Sequence, residues 1–241
     1  MTRSGVGCLW CLAILGYSAA VSVPAVNAQS DLVSPAGDAP RYRDLPRCPE
    51  PDAHAVCFEF EGAGTDGWSC PAWFGLKDRY RSSTVGVAAR PGTTDDGRAL
   101  HLQTTWPGLH WCATGIRLEG PVDLSSFSML TARIRLDDNL PGRSVAARLI
   151  VVAGDDWHWY EARRKTYLKA GRWIPFQAPL AGESTADQML DYWGPKAMEL
   201  VKDQAIVQEI ILRIEAVATD RGSNLTDVDR DIHIDSITLI P

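Results

Sequence analysis

Met129-Leu130-Thr131-Ala132-Arg133-Ile134-Arg135-Leu136 is the stretch whose reading decides the fold. Its arginines point away from the Ile and Leu side, at a period of two. Successive side chains of a β-strand point to opposite faces, so this segment reads as a strand with one dry and one wet side. Ala99-Leu100-His101-Leu102-Gln103-Thr104-Thr105 alternates in the same way, as does Ala55-Val56-Cys57-Phe58-Glu59-Phe60-Glu61. Working outward, Ser83 to Ala88, Trp157 to Glu161, Glu209 to Glu215 and Ile232 to Ile240 are further strand-like runs. Arg148-Leu149-Ile150-Val151-Val152 is continuously apolar after its first residue. Arg172 to Phe176 carries Pro175, which suits an edge strand or a bulge. Turn residues separate these runs, among them Gly62-Ala63-Gly64, Asp66-Gly67 and Asp95-Asp96-Gly97. About ten short strands, most with one apolar face, imply an all-β sandwich of two antiparallel sheets packed face to face.

One region has a different period. Within 184–207, Leu190, Trp193, Ala197, Leu200 and Val201 recur at roughly helical spacing. This predicts a short helical insert, broken at Gly194-Pro195 and capping the sandwich, with Trp193 as its anchor.

The N-terminus speaks for export. Arg3 precedes an apolar run from Val6 to Val23, and Val26-Asn27-Ala28 places small residues for cleavage before Gln29. The run is short for a membrane span, so 1–28 reads as a signal peptide, and the product as periplasmic or extracellular. Residues 29–51, with Pro35, Pro40, Pro46, Pro49 and Pro51, read as a lead or linker. That leaves 52–241 as the sandwich domain. Four cysteines follow the leader: Cys48, Cys57, Cys70 and Cys112. In an exported chain they suggest two disulfides, with Cys48–Cys57 and Cys70–Cys112 favoured among the three connectivities. Zinc is the competing use, but no C-x-x-C pair occurs among these four. The formal charge of −6 argues against nucleic-acid binding, which requires a basic stripe.

The order of several short motifs resembles carbohydrate-binding modules of the galactose-binding-like jelly-roll type. These are Phe58-Glu59-Phe60-Glu61-Gly62 with Asp66-Gly67-Trp68, then Gly97-Arg98-Ala99-Leu100-His101-Leu102. Val122-Asp123-Leu124-Ser125-Ser126-Phe127, Gly171-Arg172-Trp173 and His233-Ile234-Asp235-Ser236-Ile237 follow. Together they run from Ala55 to Ile240. The resemblance implies a jelly-roll sandwich and a polysaccharide or cell-envelope glycan as ligand. It also implies a structural calcium ion near Glu61 and Asp235. Trp68 and Trp173 match framework positions.

Eight tryptophans lie beyond the leader, and sugars stack their CH faces on such rings. Trp106 and Trp111 bracket the loop Trp106-Pro107-Gly108-Leu109-His110-Trp111. Trp157 and Trp159 share one strand face. If that face is wet, they form a stacking platform; if dry, His158 and Tyr160 are presented instead. His101 and Gln103, Arg133 and Arg135, and Arg213 and Glu215 lie on the wet faces of their strands. Shared on one sheet, they would make a groove of Arg, His and Glu, and paired arginines suit a uronic acid. The competing reading is a solvated outer face laced with ion pairs.

An enzyme on the same fold is the alternative. A hydrolase needs two carboxyl groups, for which Glu161, Glu209, Glu215 and Asp235 are available, but no local carboxylate signature or Gly-x-Ser-x-Gly elbow occurs. A lyase would require a grouping such as His101, Arg135 and Tyr160. A third alternative is an envelope protein whose sandwich binds a protein partner.

Overall fold

The alternating segments do pair into two antiparallel sheets. The computed structural model describes residues 55–76, 78–93, 96–220 and 225–241. In chain order the strands are β1 (Val56–Phe58), β2 (Trp68–Ser69), β3 (Thr84–Ala89), β4 (Arg98–Trp106), β5 (Trp111–Val122) and β6 (Met129–Leu136). They continue with β7 (Arg143–Ala153), β8 (His158–Glu161), β9 (Thr166–Tyr167) and β10 (Trp173–Pro179). Two helices follow, α1 (Ala186–Trp193) and α2 (Ala197–Asp203), and then β11 (Val207–Ala218) and β12 (Val228–Ile240). One sheet has the order β10-β6-β12-β4-β3, with β1 also on β12. The other has the order β2-β5-β11-β7-β8, with β9 also on β7. They are called here the β12 sheet and the β11 sheet, after the long strand at the centre of each.

The dry faces meet in one core. Leu100 and Leu102 of β4, Leu130 and Ile134 of β6, and Ile232 and Ile234 of β12 come from one side. Ile116 of β5, Leu149 and Val151 of β7, and Leu212 and Ile214 of β11 come from the other. Full burial of such a side chain stabilises the fold by about 1.5–3 kcal/mol. β10, with Pro175, is the edge strand its proline requires. Trp68 and Trp173 are buried framework residues.

The helical insert also forms, and it is broken at Gly194. Thr185 and Gln188 make a reciprocal capping box at the start of α1. Gly194 takes φ 80°, a conformation that costs glycine little, and its N–H closes on the Leu190 carbonyl. Trp193 pins the insert to the sheet by donating from Nε1 to the Pro179 carbonyl at 2.8 Å.

Three expectations are corrected. β5 had no strand reading, although it spans Trp111–Val122. Gly115 and Gly120-Pro121 interrupt its side-chain pattern, and Gly115 is required because a Cβ there would lie 2.4 Å from the Leu212 carbonyl oxygen. Trp157 is not in a strand; it sits in the turn between β7 and β8 with φ 56°. Cys70 and Cys112 are free thiols rather than a pair. Ser69 is registered on Arg117, well up β5 from Cys112, and the Cys70 Sγ accepts instead from the Ser83 N–H at 3.3 Å. Burial pushes both thiols above the usual cysteine range. Cys57 is likewise a free thiol; Cys48, the leader 1–28 and the linker 29–51 lie outside the described residues.

Candidate functional site

The outer face of the β11 sheet carries a ladder of charges. β11 alternates, so Glu209, Ile211, Arg213 and Glu215 face outward while Ile210, Leu212 and Ile214 enter the core. Arg213 is registered directly opposite Arg148 of β7. Like charges so placed repel. Two carboxylates resolve the conflict. Glu161 of β8 receives both ends of the Arg213 guanidinium, at 2.6 and 3.1 Å, and also bonds Arg148. Glu215 receives Arg213 at 3.1 Å, Arg148 at 3.2 Å and the Lys165 ammonium at 3.0 Å. Three cations thus share two anions.

This ladder is largely covered. Arg213 and Glu215 are 3 % and 2 % exposed, and Glu161 is half-buried. Burial works against the Glu161 carboxylate, but hydrogen bonds and charge from Arg213, with help from Arg148, hold its pKa below the usual range. The Arg213 guanidinium is held above its usual value despite burial by the same Glu161, together with Glu215.

Aromatic rings border the ladder. Trp159 projects from β8 on this face and meets the Trp73 ring at 5.7 Å. Trp73 meets Tyr80 at 5.1 Å, and Tyr80 meets Trp111 at 5.4 Å. Trp111, at the start of β5, has the Arg213 guanidinium 5.7 Å from its ring centroid. Trp73 also packs on Ile150, Val152 and Ile211, which is why the outer side of β7 is apolar there. Trp157, in the turn leading into β8, and Tyr167, on β9, are more than half exposed nearby along the chain.

The expected groove is therefore divided. Arg213, Glu215, Trp111 and Trp159 belong to the β11 sheet. His101, Arg133 and Arg135 belong to the outer face of the β12 sheet, because β4, β6 and β12 pair there. On that face the His101 and His233 rings stack at 4.6 Å. His233 Nε2 lies 3.2 Å from Asp137, His101 Nε2 lies 3.4 Å from Asp231, and Arg135 bonds Asp137 at 3.1 Å. Burial, and next the charge of His101, push the His233 pKa down against the pull of Asp137. Arg133 is buried and lies 3.8 Å from Asp235.

Other candidates are also relocated. Trp106 ends β4 on its inner side and is 1 % exposed, so it is a core residue. Tyr160 faces the interior and donates to Asp203, so it does not join His101 and Arg135 in one grouping. The Tyr160 hydrogen bond and that of His158 draw the Asp203 carboxyl below its usual range. Glu61 and Asp235 are brought together, but by Arg90. Its guanidinium bonds Glu61 and lies 3.1 Å from Asp235. Calcium takes about six to eight oxygen ligands. Two carboxylates already turned to a fixed cation do not fit that need, and no cluster suited to a metal occurs among the described residues.

Trp73, Tyr80 and Arg148 are site residues that the sequence did not flag. Trp73 and Tyr80 come from the 71–81 connection, which has no periodicity to expose them. Arg148 heads a run read as wholly apolar.

Comparison with solved structures places the fold. A family 28 carbohydrate-binding module specific for non-crystalline cellulose superposes with a TM-score of 0.51 at 10 % identity, over 76 % of this chain and 92 % of that one. A family 11 module of a Clostridium thermocellum cellulosomal cellulase gives 0.44 at 16 % identity, over 77 % and 94 %. A mannan-recognising family 27 module gives 0.43 at 14 % identity, over 77 % and 97 %. No family model and no curated protein sequence matches the chain. The resemblance read from the sequence therefore holds for the fold: this chain is a two-sheet antiparallel β-sandwich that superposes on the family 28 module.

Proposed function

We propose that the outer face of the β11 sheet binds a polysaccharide, in a chain exported after cleavage near Ala28. The observation that carries this reading is the run of rings Trp159, Trp73, Tyr80 and Trp111 beside the Arg148–Glu161–Arg213–Glu215 ladder. Rings offer flat apolar surface to the CH faces of a sugar, and the part-exposed Arg148, Glu161 and Lys165, held by the covered Arg213 and Glu215, meet its hydroxyls. The ladder holds its members in place before ligand arrives, which lowers the entropic cost of binding. Trp157 extends the aromatic surface at the turn. No helix among the described residues is long and apolar enough to cross a membrane.

The state of Glu161 argues against one role in cleavage at this face, that of the general acid. A glycosidase acid must carry a proton near neutral pH, whereas the arginines hold Glu161 ionised. The test is to mix the purified chain with a panel of polysaccharides and follow tryptophan fluorescence together with release of reducing ends or unsaturated products. A fluorescence change without product supports binding; product release overturns it. Trp159→Ala should abolish most of the signal change.

A further inference from the structure

The chain is acidic overall, yet the segment leaving β8 is basic. Arg163-Arg164-Lys165-Thr166-Tyr167-Leu168-Lys169 carries four cations and no acid, against a formal charge of −6 for the whole sequence. Its backbone is fixed at its start, where the Arg163 and Arg164 N–H groups both donate to the Tyr192 carbonyl, at 2.8 and 3.1 Å. Beside it lies a cavity of about 420 Å³, lined by Arg164, Lys165, Thr166, Pro175, Gln177 and Tyr192. Tyr192 is 8 % exposed, and its buried hydroxyl has no hydrogen-bond partner among the described residues. Lys165 belongs to the cavity and to the ladder, through its 3.0 Å bond to Glu215, so the cavity adjoins the proposed glycan face. Tyr167, 58 % exposed, lies with its ring centroid 5.5 Å from the Lys165 ammonium.

We infer that this cavity is a subsite for an anionic sugar residue, one bearing a carboxylate or a sulfate ester, at one end of the glycan face. The inference rests on the glycan-binding reading above and specifies its substrate class. The Lys165 ammonium and the Arg164 guanidinium meet the anionic group. Gln177 and the Tyr192 hydroxyl supply neutral donors, and Tyr167 offers its ring to the neighbouring sugar. Arg164 is now paired with Asp191 at 2.6 Å, but both side chains are more than half exposed, so the guanidinium can exchange partners at little cost. The paired arginines of β6 do not serve this purpose, since Arg133 and Arg135 lie on the outer face of the other sheet and do not line this cavity.

The experiment is affinity electrophoresis and calorimetry of the purified chain on three arms: neutral polysaccharides (cellulose, xylan, mannan), polygalacturonate, and a sulfated galactan. The expected result is tighter binding on at least one anionic arm, weakened by salt at about 0.5 M, while any neutral binding is not. The arm that binds distinguishes carboxylate from sulfate. Arg164→Gln should lower the anionic affinity about fivefold and leave any neutral affinity unchanged. Lys165→Gln should lower the anionic affinity further. Neutral polymers binding as well as or better than both anionic ones would overturn the subsite and leave the glycan reading standing. Anionic binding indifferent to Arg164→Gln and Lys165→Gln would do the same. Binding on no arm would overturn both.

Discussion

The two outer faces of this sandwich are built from the same residue types and reach different ends. On the β12 sheet, arginines, histidines and aspartates fall into small separate groups: Arg135 and His233 with Asp137, His101 with Asp231, Arg90 and Arg133 with Asp235. The aromatic residue described there, Trp173, is folded away on Ala99, with its Nε1 donating to the Pro91 carbonyl. On the β11 sheet the charges form one shared ladder, and the rings beside it remain partly exposed. An outer face that only needs to be soluble can pair its charges and bury its rings. Exposed tryptophans held by a rigid polar lattice add nothing to solubility, and they fit a face kept for a ligand.

The strongest way to break the comparison is to remove the centre of the ladder. Arg213→Ala leaves Glu161 without its forked partner and Glu215 nearly buried beside fewer cations. Losing one partner of a buried charge cluster costs about 3–5 kcal/mol. Denaturant unfolding should show a lower midpoint by that measure. The counterpart on the other sheet, Arg135→Ala, removes a partner from the part-exposed Asp137 and should cost about 1 kcal/mol or less. Equal losses would mean that the ladder is not a cooperative unit.

Next is a pair of tryptophans from opposite sheets, Trp106 of β4 and Trp159 of β8. Trp106→Ala empties a core site and should cost about 3–5 kcal/mol of stability. Trp159→Ala should leave the unfolding midpoint nearly unchanged and weaken glycan binding about tenfold to a hundredfold. A Trp159→Ala protein that unfolds early but binds normally would move Trp159 into the framework.

The contrast between these two tryptophans also shows what the sequence exposes. Leu100, Leu102, Thr104 and Trp106 continue a single period of two, so the burial of Trp106 was open to reading, yet the following Pro107-Gly108 draws it into a loop by composition. The sheets, the helical insert and its break at Gly194 were legible because each is a local periodicity. Arg213 and Glu215 were legible as outward residues for the same reason. Their partners were not. Strand order decides that β11 lies between β5 and β7 and that β4 lies in the other sheet, and no single strand carries that order. The run Leu149 to Val152 hid its own reason: Ile150 and Val152 are apolar on an outer face because Trp73, from a distant irregular segment, covers them.

The smallest effect separates the faces by pH. Burial and the neighbouring His101 charge lower the folded pKa of His233, so the unfolded chain binds its proton more readily. Stability is then greatest above the ordinary histidine value of about 6.5 and falls as pH drops below it, until the folded pKa is also passed. On the other face, the pKa of Glu161 is lowered by Arg213 and Arg148. Its contribution is fully present above the ordinary glutamate value of about 4.3 and is lost only as pH falls below that toward the folded value. Acidification from neutral pH to about 5 should therefore loosen the β12 face first and leave the β11 ladder intact. Hydrogen exchange across that range should show faster exchange for amides of β4 and β12 near His101 and His233, with β7 and β11 unchanged near Arg148 and Arg213. His233→Gln should remove the first effect while sparing the second. Exchange that rises on both faces together would mean the sandwich opens as one unit, and the two outer faces would then not be separable by protonation.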